Sequence, residues 1–207
     1  KILGTMDLSK AFYQIKCSPE ASEILTFWDG RGKLWSYTRM CFGARNASAH
    51  FQRVAEKTLR GLEYCARAYI DDVVIFANTP QEFIQAVKHV LDAICRVGLR
   101  VHPTKSCMGA EALPYLGYLV GNNQLLPQEA KIKAIAELPR PTDKTSLRSF
   151  LGICNYYRQL VGKPGQPHYS QVVKPLNELL KEQCKDVAAA WGPCLLYTSP
   201  SPRDRSI

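Results

Sequence analysis

The sequence contains no C-x-x-C pair. Its eight cysteines stand singly, at 17, 41, 65, 95, 107, 154, 184 and 194, which argues against a zinc site. The spacing is no disulfide framework either, and a chain of 207 residues does not need one. Free thiols in a reducing compartment are the reading. No apolar run approaches the roughly 20 residues of a membrane span. There is no initiator Met and no signal peptide, since the chain opens on "KILGTMDLSKAF". It therefore reads as an intracellular, non-secreted piece of a longer chain that does not engage a membrane. No internal repeat is present. Acid is scarce: 18 Asp and Glu stand against 27 Lys and Arg, a net charge of +9. That imbalance points to an anionic partner such as nucleic acid. Hydrophobic residues make up 46% of the chain, enough for a packed core.

The end of the chain is anomalous. "CLLYTSPSPRD", Cys194 to Asp204, back-translates into a sequencing-library adaptor. Residues 194–207 are read as an adaptor-derived tail and set aside from the fold.

The remainder reads as α+β. Residues 2–8 form a strand carrying Asp7, and 15–40 a hairpin turning at Asp29-Gly30 and Arg31-Gly32. Asn46 caps a helix with Phe51, Val54, Ala55, Thr58, Leu59 and Leu62 on one face. Thr79, Pro80 and Glu82 open another as a capping box. That helix repeats Ile84, Val87, Leu91 and Ile94, and Gly98 ends it. "LRV" (99–101) and "YLGYLV" (115–120) read as strands. The order implies an antiparallel sheet backed by helices. From Pro127 the character becomes helical and basic: residues 127–182 hold nine Lys/Arg against five Asp/Glu. "PQEAKIKAIAEL" and "TDKTSLRSFLGICNYYRQLV" are amphipathic, the second with Leu147, Phe150, Leu151, Cys154 and Val161 on one face, and "KPGQPHYS" (163–170) is a loop.

The stretch "AYIDDVVIF" (68–76) sets two acids between apolar runs and reads as a hairpin with Asp71-Asp72 as its turn. Two like charges there mean either a solvated turn or a metal site. Asp7, ending its own strand, reads alone as a turn cap. One acid at a strand end and a pair at a hairpin tip can meet at one sheet edge. There, three carboxylates would suit Mg²⁺, a cation that takes oxygen ligands. Two such ions can clamp an in-line phosphoryl displacement.

"MDLSKAFYQI", "FGARNASAHFQ", "YIDDVVIF", "KSCMG", "YLGYLV" and "LRSFLGICNYYRQL" occur in an order that resembles the reverse transcriptases of gypsy-like LTR retrotransposons and retroviruses, from residue 1 to about 191. The resemblance implies a polymerase palm with partial fingers and a helical thumb. Residues 1–14 would be the first part of the palm, 15–46 partial fingers, and 47–126 palm with the YIDD hairpin and primer grip. Residues 127–185 would be thumb and the start of the connection. It implies an RNA-directed DNA polymerase that adds dNTPs to a primer 3′-hydroxyl on an RNA or DNA template, with two Mg²⁺ ions or Mn²⁺ in their stead. Asp7 and Asp71 would bridge the metals and Asp72 would be the third acid. Phe12 would be the aromatic gate against a ribose 2′-hydroxyl, and Phe42, Gly43 and Gln52 would line the nucleotide pocket. Lys105 would lie near the departing pyrophosphate, and Leu116, Gly117 and Tyr118 would belong to the primer grip.

The parent would be a Pol polyprotein continuous with ribonuclease H and other domains, working in cytoplasm, virus-like particle or nucleus. The chain departs from the family's usual pattern in Ala44 for Leu and Ser48 for Pro. A decayed remnant, or a fragment inactive on its own, is the alternative reading. The missing start, the foreign tail and these departures favour it. The three intact acids and an unbroken frame oppose it.

Overall fold

The computed structural model describes residues 1–161, 167–181 and 187. The anomalous tail, residues 163–166 of the expected 163–170 loop and the end of the expected thumb lie outside them, and Tyr169 and Ser170 of that loop belong to a helix. The chain divides into two compact units. The first comprises 1–115 with 120–124, the second 116–119 with 125 onward. Leu116, Gly117 and Tyr118, expected in the palm, thus cluster with the second unit.

The first unit is built on a four-stranded antiparallel sheet: β1 (Ile2–Leu8), β4 (Ala66–Tyr69), β5 (Asp72–Ala77) and β6 (Val101–Ala110), in the order β4-β5-β1-β6. Helix α2 (Ala47–Thr58) joins β1 to the β4-β5 hairpin, and α3 (Pro80–Arg96) joins β5 to β6. This is a β-α-β-β-α-β arrangement with both helices on one face. Alternation along the strands buries Met6, Leu8, Val73 and Ile75 in one cluster with Phe51, Ala55, Phe83, Ala86 and Val90 from the helices. Burial of each large side chain contributes roughly 1.5–3 kcal/mol. The other face carries the half-exposed positions, among them Asp7 and Asp72.

Helix α3 starts and stops where its sequence signals lie. Thr79 accepts the Glu82 N–H at 3.3 Å and Pro80 opens the first turn. The Glu82 carboxylate reaches back one residue farther than a capping box requires, to the Asn78 N–H at 3.1 Å. The buried face differs from the expected one. Phe83, Ala86, Val90, Ala93 and Ile94 are buried, while Ile84 and Leu91 are exposed. The helix has apolar residues on two adjoining stripes, and the sheet takes the one that includes the ring of Phe83.

The expected 15–40 hairpin is shorter than read. Strands β2 (Thr26–Trp28) and β3 (Leu34–Ser36) pair antiparallel, and a helix, α1 (Pro19–Ile24), precedes them. Ser18 caps α1 by accepting the Ala21 N–H. "LRV" is only the approach to β6, which runs on through Pro103 and Gly109. "YLGYLV" splits at Leu116-Gly117 into β7 (Ala112–Tyr115) and β8 (Tyr118–Gly121), which continue to β9 (Gln124–Pro127) as a three-stranded sheet.

The second unit contains α4 (Glu129–Ala136), α5 (Lys144–Tyr156) and α6 (Tyr169–Glu178). Asp143 and Ser146 form a reciprocal capping box for α5. Leu147, Leu176, Leu179 and Val187 form its core, with Phe150 and Leu151 packed against them. Val161, expected on the α5 face, falls beyond the helix end because α5 closes at Tyr156 into a 3-10 turn (Arg158–Leu160).

Candidate active site

The acids come together through register. Met6 and Leu8 point into the core, so Asp7 between them lies on the open face of β1. On β5, buried Val73 and Ile75 place Asp72 on the same face, and Asp7 and Asp72 are direct cross-strand partners. Like charges in that relation destabilise the sheet. Burial, then the charges of Asp71 and Asp7, push the Asp72 carboxyl above its ordinary range.

The hairpin turn is not Asp71-Asp72, as the sequence suggested. Tyr69 pairs with Asp72, which makes Ile70 and Asp71 the two-residue loop. Pairing with Asp7 draws Asp72 into the strand. The left-handed position falls on Ile70, at φ 53°, an uncommon conformation for a β-branched residue. The loop is held from two sides. The Leu8 N–H donates to the Asp71 carbonyl at 2.9 Å. From α2, Gln52 Oε1 accepts the Ile70 N–H at 2.6 Å, and Gln52 Nε2 donates to the Ala68 carbonyl at 3.0 Å.

Two neighbours of the acids lie in quoted motifs but were not among the expected site residues. The Asp7 N–H donates to Ser106 Oγ at 3.4 Å, and that hydroxyl donates to the His102 carbonyl at 2.9 Å. Tyr115 is half-buried, and burial together with the negative charge of Asp72 pushes its hydroxyl up to about 12. Tyr115 therefore stays protonated beside the acids. Lys105 lies where β6 leaves register with β1: Asp7 pairs with His102 and Thr5 with Cys107, so residues 103–106 bulge out. Lys105 is exposed there and makes no ion pair among the described residues.

Among the described residues, no three His, Cys, Asp or Glu side chains converge closely enough to cage a metal ion. The three acids thus form no preassembled cage. Mg²⁺ does not require one, because one or two carboxylates plus substrate phosphates and water complete its coordination. Asp7 and Asp72, hard oxygen donors on one face of paired strands, fit that need, with Asp71 adjacent in the chain.

Beyond β1, Lys10 takes φ 48° and turns the chain into a 3-10 helix, Ala11–Gln14. This carries half-buried Phe12 edge-on to Phe42, with ring centroids 5.1 Å apart, and to Phe51, at 5.9 Å. Phe42 is largely exposed. Gly43 follows at φ 87° with open space where a Cβ would stand. Phe12, Phe42 and Gly43 thus share one region of the first unit.

In the second unit, Leu116 and Gly117 form a turn with φ 46° and 77°. Three tyrosines hold it. The Tyr156 hydroxyl donates to the Leu116 carbonyl, the Tyr157 hydroxyl to the Gly117 carbonyl at 3.3 Å, and the Tyr118 hydroxyl to the Tyr156 carbonyl at 2.6 Å. The rings of Tyr118 and Tyr156 stack at 5.4 Å. In the sequence, Tyr156 and Tyr157 stood only as part of the motif "LRSFLGICNYYRQL", with no role of their own.

Comparison with known proteins gives this geometry a family. A family model for reverse transcriptase (RNA-dependent DNA polymerase) matches residues 1–120. The chain is 33% identical over 183 residues to the retrovirus-related Pol polyprotein from transposon 297 of Drosophila melanogaster, covering 87% of this chain and 17% of that protein. It is 31% identical over 182 residues to the corresponding polyprotein from transposon gypsy, with the same coverage. The transposon Tf2-3 polyprotein of Schizosaccharomyces pombe is 30% identical over 193 residues, covering 93% of this chain and 14% of that protein. The chain thus spans less than a fifth of the length of these curated relatives. Among solved structures, a foamy viral protease-reverse transcriptase in complex with double-stranded DNA shares the fold, with a TM-score of 0.83. It is 23% identical, and the match covers 96% of this chain and 34% of that one. Matched over more than half its length, the chain belongs to the reverse transcriptase (RNA-dependent DNA polymerase) family.

Proposed function

We propose that this chain is the polymerising part of a retrotransposon Pol polyprotein. In that role it transfers nucleotides from dNTPs to a primer 3′-hydroxyl, on an RNA or DNA template, in a two-metal reaction. The observation that carries the reading is the register of Asp7 against Asp72, with Asp71 at the adjoining turn. Relatives that are Pol polyproteins, and fold neighbours described in complex with double-stranded DNA or an RNA/DNA hybrid, support it. The net charge of +9 suits such a partner. Ribonuclease H and other Pol domains would be covalently continuous with it, and the work would be done inside the cell.

Asp7, Asp71 and Asp72 would hold the Mg²⁺ or Mn²⁺ ions. When bound, these ions supply charge stabilisation for the attacking and leaving oxygens. The chain's residues do the positioning. Phe12, fixed edge-on by Phe42 and Phe51, bars a ribose 2′-hydroxyl. Gly43 leaves room for a sugar or base to approach its backbone. Lys105, exposed on the β6 bulge, is free to meet a departing pyrophosphate. The Leu116–Tyr118 turn presents carbonyls fixed by tyrosine hydroxyls, a rigid edge for a primer terminus.

The test is primer extension by the Pol-length protein with Asp71→Asn. Extension should fall by about 10³-fold or more, with folding preserved. Undiminished extension would remove Asp71 from the site.

A further inference from the structure

We infer that Gln52 is a positioning residue that sets the geometry of the acid-bearing hairpin from outside it, rather than a nucleotide contact. The inference rests on the reading of Asp7, Asp71 and Asp72 as the active site. A Gln side chain has two N–H donors and one carbonyl acceptor. Both donors of Gln52 have protein partners: Glu56 Oε1 at 2.8 Å and the Ala68 carbonyl at 3.0 Å. The acceptor takes the Ile70 N–H at 2.6 Å. No donor is left for a substrate.

Its partners lie on both sides of Tyr69, one at the end of β4 and one in the turn. Gln52 therefore bridges from α2 to the last paired stretch of β4 and the first residue of the loop. The Ile70 N–H belongs to a loop residue, outside the strand ladder, and Gln52 gives it a partner. Ile70 also holds a left-handed φ that β-branched residues avoid, and such a conformation persists only where the surroundings over-determine it. Gln52 on one side and the Leu8 N–H on the Asp71 carbonyl on the other supply that determination. Repulsion among Asp7, Asp71 and Asp72 works to spread the turn, and the clamp opposes it. Glu56, one helical turn along α2, fixes the amide so that its oxygen faces Ile70.

The experiment has two arms. In the 207-residue chain without metal, NMR hydrogen exchange of the Ile70 amide is compared between wild type and Gln52→Met. Met is close in shape to Gln but lacks both the amide oxygen that accepts the Ile70 N–H and the N–H donors. In the Pol-length protein, kcat and the KM for dNTP are measured for the same pair. Ile70 exchange should quicken roughly tenfold, as for a lost hydrogen bond, while α3 amides stay unchanged. The kcat should fall about 10- to 100-fold from misplaced carboxylates, with KM little altered.

Glu56→Ala, which leaves the Gln52 amide in place but unguided, should move both readouts the same way by less. The inference is overturned by unchanged Ile70 exchange, by a rise in KM at constant kcat, or by uniform loss of protection across the unit. If the wild type extends no primer, the functional reading fails by itself, and the exchange arm still decides the clamp.

Discussion

Asp7 and Asp72 face each other across paired strands, each the direct partner of the other. The arrangement is electrostatically unfavourable until a cation arrives, and it should show in stability. Asp72 holds its proton more tightly folded than unfolded, where its ordinary value is 3.8. Between that value and the raised one, the folded chain therefore binds more protons than the unfolded chain does. The Asp72 contribution to stability falls across this window and stays low above it. Asp72→Asn should raise the melting temperature of the metal-free chain at neutral pH. The gain should vanish as pH drops below about 4. Added Mg²⁺ should stabilise wild type more than the variant. A variant less stable than wild type at pH 7 without metal would contradict the repulsion.

Gly117 combines φ 77° with a close neighbour: a Cβ there would lie 2.8 Å from the Tyr156 hydroxyl oxygen. Gly117→Ala should destabilise the second unit by about 1–3 kcal/mol, from the strained backbone and the displaced ring. Tyr156→Phe removes only the hydroxyl and should cost less, about 0.5–1.5 kcal/mol. Thermal unfolding followed by aromatic circular dichroism separates the two, because the Tyr118–Tyr156 stack survives in the second variant alone.

Phe12 should have two measurable roles. Its edge-to-face contacts with Phe42 and Phe51 are worth about 0.5–1.5 kcal/mol each, so Phe12→Val should lower stability by roughly their sum. The same variant should admit ribonucleotides. The ratio of dNTP to rNTP incorporation by the Pol-length protein should drop by about tenfold or more. An unchanged ratio with lowered stability would leave Phe12 a packing residue only.

Much of this site was legible in the chain because it is built from local register. Buried residues alternate on either side of Asp7 and beyond Asp72, and that pattern alone puts both acids on one sheet face. The turn was misread because residue preference names Asp for a left-handed position, while the pairing of Asp72 with Asp7 leaves that position to Ile70. Tertiary register overrode local preference. Ser106 and Tyr115 were illegible for another reason. They lie inside the motifs "KSCMG" and "YLGYLV", but they reach the acids across a bulge and a separate hairpin, and no local pattern gives either a role there. The stripe on α3 was ambiguous because two apolar faces adjoin, and only contact with the sheet selects one.

The tyrosine hydroxyls that fix Leu116 and Gly117 come from residues 40 positions farther along the chain. Such a turn cannot reach its final form as it leaves the ribosome, because its restraints have not yet been synthesised. The carbonyls at Leu116 and Gly117 are set only after the end of α5 has been made and has folded back. Non-local closure of this kind is slow relative to local hairpin formation. Translation therefore imposes an order in which the acid-bearing strands can assemble while this turn is still loose.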